Sequence, residues 1–542
     1  MMPNGAWLCW ASLLLLVRPT QPCPSGCDCF VHKVFCSDEN LAAIPPDVPP
    51  GTTDLVFVET SFLEVGPWAF SSSPNLTKLV FLNTQLWRFE PDALRGLPGL
   101  RDLEVTGSTF TLSDHTFANL TSLGQLTLSF DALDALPEDL FLGLDALESL
   151  QLQGNQLQTL PWRIFRPLQH LKSLDLGQNH LAWLPEGLLY PLSSLQSLRL
   201  SDNRLSQGLR PGIFAHLGSL QELFLDGNAI RELPPRLFSG LFHLERLWLQ
   251  HNAIHHLPAT IFSDLRNLTA LSLQGNALQT LPAGLFTCTP HLRSLSLSHN
   301  QLVMFADGAF ANLSSLEFLA ASHNAIAQLP AGLFRDLQAL LQLHLGSNNL
   351  TALPSGLFHN LSSLELLNLS RNQLSTLPAG LFNTNYNLFN LALHGNPWHC
   401  DCHLAWLSGW LRLWSDQLLH TRTYCARPAH LRGQVVPTLR EEQLVCPVSG
   451  HPGPDHRLAG VGWDAVVADR AARSRCTYSN TEGTVVLACD EGQCRWLNVQ
   501  LSPRQGEGFL AMMFNASQGW DLKSSCGSVR VTVSLRAQAV GP

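Results

Sequence analysis

Charge is scarce in this sequence. Asp, Glu, Lys and Arg together make up 14% of 542 residues, the formal net charge is -9, and no basic cluster stands out. A nucleic-acid binder needs Lys/Arg patches to meet phosphates, and an anionic membrane surface attracts the same patches, so the composition argues against both partners. Long apolar runs are missing too. Residues 7–17 (WLCWASLLLLV) form one short run, below the roughly 20 residues that span a bilayer. At the N-terminus it reads as a secretory signal peptide covering 1–22, cleaved near Pro22, although no Lys or Arg precedes the run. Catalytic signatures are also absent. There is no HExxH helix, no P-loop, no glycine fingerprint after a strand and no GxSxG elbow. The acidic residues are scattered, as on a solvated surface. The expectation is a secreted chain that binds a partner, catalyses nothing and holds no cofactor.

What is present is repetition. From Leu76 to Asn387 a unit of the form LxxLxLxxNxLxxLPxxxFxxLxx recurs about every 24 residues, in 13 copies, with a weaker copy from Thr52 and a partial one from Leu388. The LxxLxL half predicts a short strand whose leucines face inward, because successive side chains in a strand point to opposite sides. One unit cannot bury its own leucines, but stacked units can. The predicted fold is an α/β-type solenoid: a curved leucine-rich-repeat array over 52–387 with a parallel β-sheet on its concave side. The ninth position is usually Asn, from Asn155 through Asn179, Asn203 and Asn228 to Asn396. A buried amide there can satisfy backbone groups at the bend after the strand. Thr84, Ser108 and Asp131 break the rule, so that end is expected to be less regular. Once-per-repeat phenylalanines from Phe117 to Phe382, interrupted at Leu189, read as core.

An open array needs its ends covered. CPSGCDCFVHKVFC supplies Cys23, Cys27, Cys29 and Cys36 to an N-terminal cap over 23–51. Cys400, Cys402, Cys425 and Cys446 belong to a C-terminal cap over 388–446. Disulfides are the first reading of these groups in an oxidising compartment, and zinc is the rival. A linker and a small disulfide-held β unit with Cys476, Cys489, Cys494 and Cys526 fill 447–542; GTVVLAC and VRVTVSL show strand alternation there. Cys288 is left over and is expected to be a buried free thiol, with an intermolecular disulfide as the alternative.

The candidate site lies on outward strand positions, whose identity the core does not dictate. Phe224 and Trp248 occupy equivalent places in neighbouring repeats, flanked by Glu222, Glu245 and Arg246. Aromatics with Arg nearby suit an interface anchor, unless they only pack on each other. His251, His299, His323 and His344 lie in nearby repeats. Shared metal binding is one reading of them; the other is a polar histidine surface with a modest pH effect. Sequons stand at Asn75, Asn119, Asn267, Asn312, Asn349, Asn360, Asn368 and Asn515. Only Asn368 falls on a concave strand, so the concave face from about Arg101 to Gln342 is expected to be free of sugar.

Beyond the repeats, the chain carries the opening CPSGCDCFVHKVFCSD, the segment FVETSF, the run TNYNLFNLALHGNPWHCDCHLAWL and the tail ARSRCTYSNTEGTVVLACDEGQCRWLNVQLSP. Together these resemble the regulatory, non-catalytic subunits of carboxypeptidase N, over nearly the whole mature chain. The resemblance implies a plasma protein in a hetero-oligomer with the catalytic subunit of a secreted zinc carboxypeptidase, which removes C-terminal Lys or Arg from peptides. The caps resemble those of extracellular leucine-rich-repeat proteins, which implies the pairs Cys23–Cys29, Cys27–Cys36, Cys400–Cys425 and Cys402–Cys446. A matrix or receptor-binding role is the alternative that the repeats alone leave open.

Overall fold

The computed structural model describes residues 23–206, 209–414, 419–420 and 422–446, together with the backbone of seven strands between 464 and 534. The proposed signal segment 1–22 and the linker from 447 lie outside the described residues. Two compact units are present: 1–397 with 415–422, and 398–414 with 423–542.

The first unit is a parallel-strand solenoid. Its main sheet has 18 strands among the described residues, and the first inward leucine of each strand stands in register from turn to turn: Leu55, Leu79, Leu103, Leu126, Leu150, Leu174, Leu198 and Leu223 in succession. The period dictates this register, since each turn places the same residue at the same height. The inward side chains are shut from solvent; Leu147, Leu150, Leu152 and Leu157 are all at 0% exposure. Burial of each contributes roughly 1.5–3 kcal/mol. The outer return consists of turns, such as Ile164 N–H to the Pro161 carbonyl (3.2 Å). The stacked phenylalanines line it from inside. Phe214, Phe238, Phe262 and Phe286 are at 0–1% exposure, with ring centroids 6.2–6.4 Å apart.

Each ladder asparagine works as a clamp. Asn179 Nδ2 donates to the carbonyls of Leu152, Leu176 and Gly177 (2.9, 3.1 and 3.0 Å), and its Oδ1 accepts from Leu157 N–H of the previous turn (3.1 Å). The residue just before the clamp adopts positive φ: Gln178, Asp202, His251, His299, His323, Ser347 and Arg371 lie between 53° and 56°. Glycine takes the same place at Gly154, Gly227 and Gly275. Asn, Asp and His tolerate this conformation better than most residues with a Cβ, which accounts for part of the histidine count.

At the N-terminal end, Cys27–Phe30 and Lys33–Cys36 form a hairpin whose second strand pairs in parallel with Asp54–Val58. The cap thereby closes the first sheet edge. Cys23 is bonded to Cys29 and Cys27 to Cys36. At the other end of this unit, Leu419–His420 pairs with Asn390–Ala392.

The second unit contains the helix Ala405–Leu413, which buries Leu407, Ser408 and Leu411. Ser408 Oγ donates to the Val436 carbonyl (2.8 Å). Cys400 is bonded to Cys425 and Cys402 to Cys446. Farther along, the strands Asp464–Ala468, Trp496–Ser502 and Leu510–Asn515 form one antiparallel sheet. Cys476–Thr481, Thr484–Cys489, Asp521–Cys526 and Val529–Ser534 form another, in which the two segments with strand alternation, Thr484–Cys489 and Val529–Ser534, pair in parallel. Cys494 and the side chains of Cys476, Cys489 and Cys526 lie outside the described residues, and with them any pairing.

Candidate partner-docking face

Outward residues of consecutive strands form columns, because the register repeats without a shift. In the fifth-position column Asp175, Arg199, Phe224 and Trp248 stand side by side on four adjacent strands. Their contacts follow from that order. Arg199 Nε lies 3.5 Å from the Asp175 carboxylate, and the Arg199 guanidinium carbon lies 4.3 Å from the Phe224 ring centroid. Phe224 and Trp248 stack at 6.2 Å with an 18° interplanar angle. Burial raises the Asp175 carboxyl above its ordinary value, against the Gly177 N–H bond and the Arg199 charge, which lower it. One column over, Arg246 Nε meets Glu222 Oε1 at 2.8 Å, and Ser197 Oγ donates to Glu222 Oε2 at 3.3 Å. Glu245 is exposed.

Phe224 and Trp248 therefore do pack on each other, and both are half-buried rather than free. Trp248 Nε1 and Gln250 Oε1 are shut from solvent without a hydrogen-bond partner. Not anticipated from the sequence is that the aromatic pair continues through Arg199 to Asp175. The signal was available in the fifth-position column, 24 or 25 residues apart in the chain.

Of the four candidate histidines, His299 and His323 are brought together. They lie face to face, 4.2 Å between centroids and 9° between planes. His344 sits against Phe318 at 5.3 Å. Parallel imidazoles direct their lone pairs side by side, whereas two ligands of one ion must converge on it, so this arrangement is a stack and not a chelate. His323 is lowered by burial first, then by His299 and Arg371; His344 is lowered by burial. Among the described residues, one His/Cys/Asp/Glu group has its ligand atoms close enough for a metal, namely Cys402, His403 and Cys446. Both of its sulfurs are spent in a disulfide.

Cys288 is exposed, which corrects the expected buried thiol. The return segment places Phe286 and Thr289 inside at 1% and 0% exposure and turns Cys288 out between them. Asn75, Asn119, Asn267, Asn312, Asn349 and Asn360 are exposed. Asn368 is half-buried in the Leu366–Asn368 strand, where its Oδ1 accepts from Ser370 N–H and Oγ (3.0 and 2.7 Å). The side chain of Asn515 lies outside the described residues. No helix among the described residues is long and apolar enough to cross a membrane.

A leucine rich repeat family model matches residues 108–157, 146–205, 206–254, 242–302, 290–350 and 339–397, an unbroken span of more than half the chain. The chain belongs to the leucine-rich-repeat family. Within it, the chain is similar to carboxypeptidase N subunit 2 of Homo sapiens, 66% identical over 165 residues, and to that of Mus musculus, 62% identical over 165 residues. The matched stretch is 29% of this chain and spans 30% of each relative's length. Among solved structures, the TLR13–ssRNA13 complex aligns with a TM-score of 0.63 at 29% identity, over 70% of this chain and 55% of that one. A leucine-rich-repeat protein of Leptospira interrogans aligns at 0.61 and 27%, over 70% of this chain and 93% of its own.

Proposed function

We propose that this chain is a non-catalytic regulatory subunit that binds, carries and stabilises a secreted zinc carboxypeptidase in plasma, the enzyme releasing C-terminal Lys or Arg from peptides. The observation that carries the reading is the 165-residue stretch at 66% identity to a protein named as a carboxypeptidase N subunit. The physical argument agrees with it. A partner that binds only the folded enzyme raises the enzyme's stability by mass action, and a repeat array offers a long outward face for doing so. The docking surface assigned here is the strand face around Phe224, Trp248, Glu222, Glu245 and Arg246, extended to Arg199. Sugars at Asn75, Asn119, Asn267, Asn312, Asn349 and Asn360 would leave that face open, and one at Asn368 would mark its C-terminal limit. The zinc belongs to the partner, and this chain supplies no ligand to it.

The test is affinity capture from plasma with the secreted full-length chain as bait. A co-eluting carboxypeptidase with chelator-sensitive release of C-terminal Lys or Arg supports the reading, as does the absence of that activity from the bait alone. Activity in the bait after every partner is stripped away contradicts it. Capture of a matrix component or a receptor, with no peptidase, replaces it with the alternative role.

A further inference from the structure

The asparagine ladder has an acid at one rung. We propose that Asp131 stands there as a neutral carboxylic acid in the folded chain at neutral pH, its own proton replacing the amide hydrogens that the following turns supply.

Asp131 takes the ninth position of its turn, 24 residues before Asn155, and is 1% exposed. Its first oxygen behaves as a ladder oxygen. Oδ1 accepts Ser108 N–H of the previous turn at 2.9 Å, as Asn155 Oδ1 accepts from Asp131 N–H (3.1 Å) and Leu133 N–H (3.2 Å). Its second oxygen takes the place of Nδ2. In the next turn that nitrogen donates to the carbonyls of Leu128, Leu152 and Gln153 (2.7, 3.0 and 3.4 Å). An ionised carboxylate has no hydrogen to donate, and Asp131 Oδ2 is shut from solvent with no partner. A buried, uncompensated charge is far more costly than a buried neutral acid. A proton on Oδ2 removes that charge and gives the acceptor-only oxygen a hydrogen to donate, as Nδ2 has in the following turns.

Among the described residues, no charged group acts on that carboxyl. The groups that meet the carboxyl are the N–H bonds of Ser108 and Gly107 on the preceding turn, both of which favour the anion. Asn155 on the following turn is neutral, and the Thr84–Ser108 hydroxyl pair at 2.9 Å is neutral as well. Burial outweighs both N–H bonds and lifts the carboxyl from 3.8 to about 8. Between those values the folded chain holds a proton that the unfolded chain has released. Stability at this turn therefore falls as pH rises through the window and levels off above it.

Asp131→Asn restores the ladder residue and tests the idea in the full-length chain. Thermal unfolding of variant and parent is followed from pH 4 to pH 9, together with the infrared carbonyl stretch of a protonated carboxyl. The melting temperatures should nearly coincide at pH 4, separate in favour of the variant by several degrees toward pH 8, and stay apart at a constant gap beyond. At pH 6 the parent should show a protonated-carboxyl band that the variant lacks. A variant that melts no higher than the parent at pH 7.5, a gap independent of pH, or the absence of that band from the parent overturns the proposal.

Discussion

The turns that begin at Thr52, Leu76, Leu100 and Leu123 make the same bend as those from Leu147 onward with different chemistry. The later turns each clamp it with one amide that donates to two or three carbonyls and accepts at least one N–H, as Asn276 does with Leu249, Leu273, Gln274 and Ile254. The early turns put Thr60, Thr84, Ser108 and Asp131 in that place. Thr84 and Ser108 share one hydroxyl bond, while Thr60 Oγ1 and Asp131 Oδ2 find no partner. Strand length changes at the same boundary. Asp54–Val58, Lys78–Leu82, Asp102–Thr106 and Gln125–Ser129 run five residues, whereas Ser149–Gln151 and the strands that follow it on the ladder run three. An amide that takes the carbonyls two and three residues before it draws those residues out of strand geometry.

Where the amides are missing, aromatic packing takes over. Phe57, Phe62, Phe81, Phe89 and Phe110 form an edge-to-face and stacked cluster with centroids 5.2–6.0 Å apart. Such pairs contribute about 0.5–1.5 kcal/mol each beyond their burial. The lesson is that a solenoid turn can be held by directional bonds at its bend or by shape in its core.

Removing each kind of support should separate the two regions. The largest loss is expected from Phe238→Ala in the regular stack, about 3–5 kcal/mol by denaturant unfolding. Asn228→Ala should cost about 1–3 kcal/mol, because it orphans the carbonyls of Leu200, Leu225 and Asp226. Thr84→Val should cost about 1 kcal/mol or less, since only one hydroxyl bond is lost. Equal losses at Asn228 and Thr84 would erase the distinction. Acidity should act oppositely at the two ends. His323 and His344 are lowered in the folded chain, so below their ordinary value the unfolded chain binds more protons. The turns around them should lose stability as pH falls from about 6.5, read by hydrogen exchange at the Phe318–Ala320 and Gln342–His344 strands. Slower exchange on acidification, after correction for the intrinsic rate, would contradict the sign. The smallest change is expected from Arg199→Ala, about 1 kcal/mol or less in stability, since its ion pair and ring contact are on the surface.

Much of this was legible in the chain. The period determined which leucines and phenylalanines go inside, and it marked Thr84, Ser108 and Asp131 as exceptions. The early aromatic cluster was not legible, because Phe57 and Phe81 sit at leucine positions and Phe62, Phe89 and Phe110 come from less regular stretches. The link from Trp248 to Asp175 was legible in the same column that aligned Phe224 with Trp248, but it was followed only across those two repeats and not on to Arg199 and Asp175. Cys288 was misplaced because the outer return has no strict alternation to fix which way a side chain turns. The histidine stack reflects a backbone demand: His299 and His323 hold φ at 56° in adjacent turns, so their rings are stacked by the register.

The proposed docking surface is tested most directly by measuring the affinity of the Phe224→Ala, Trp248→Ala double variant for the proposed partner, a carboxypeptidase N catalytic subunit. Both side chains lie outside the leucine core and pack on each other and on Arg199, so secretion should be retained, with a modest fall in melting temperature from the lost stack. Binding should weaken at least about tenfold, as loss of a central aromatic anchor does. Unchanged affinity in a normally folded variant would contradict the account and move the interface elsewhere on the chain.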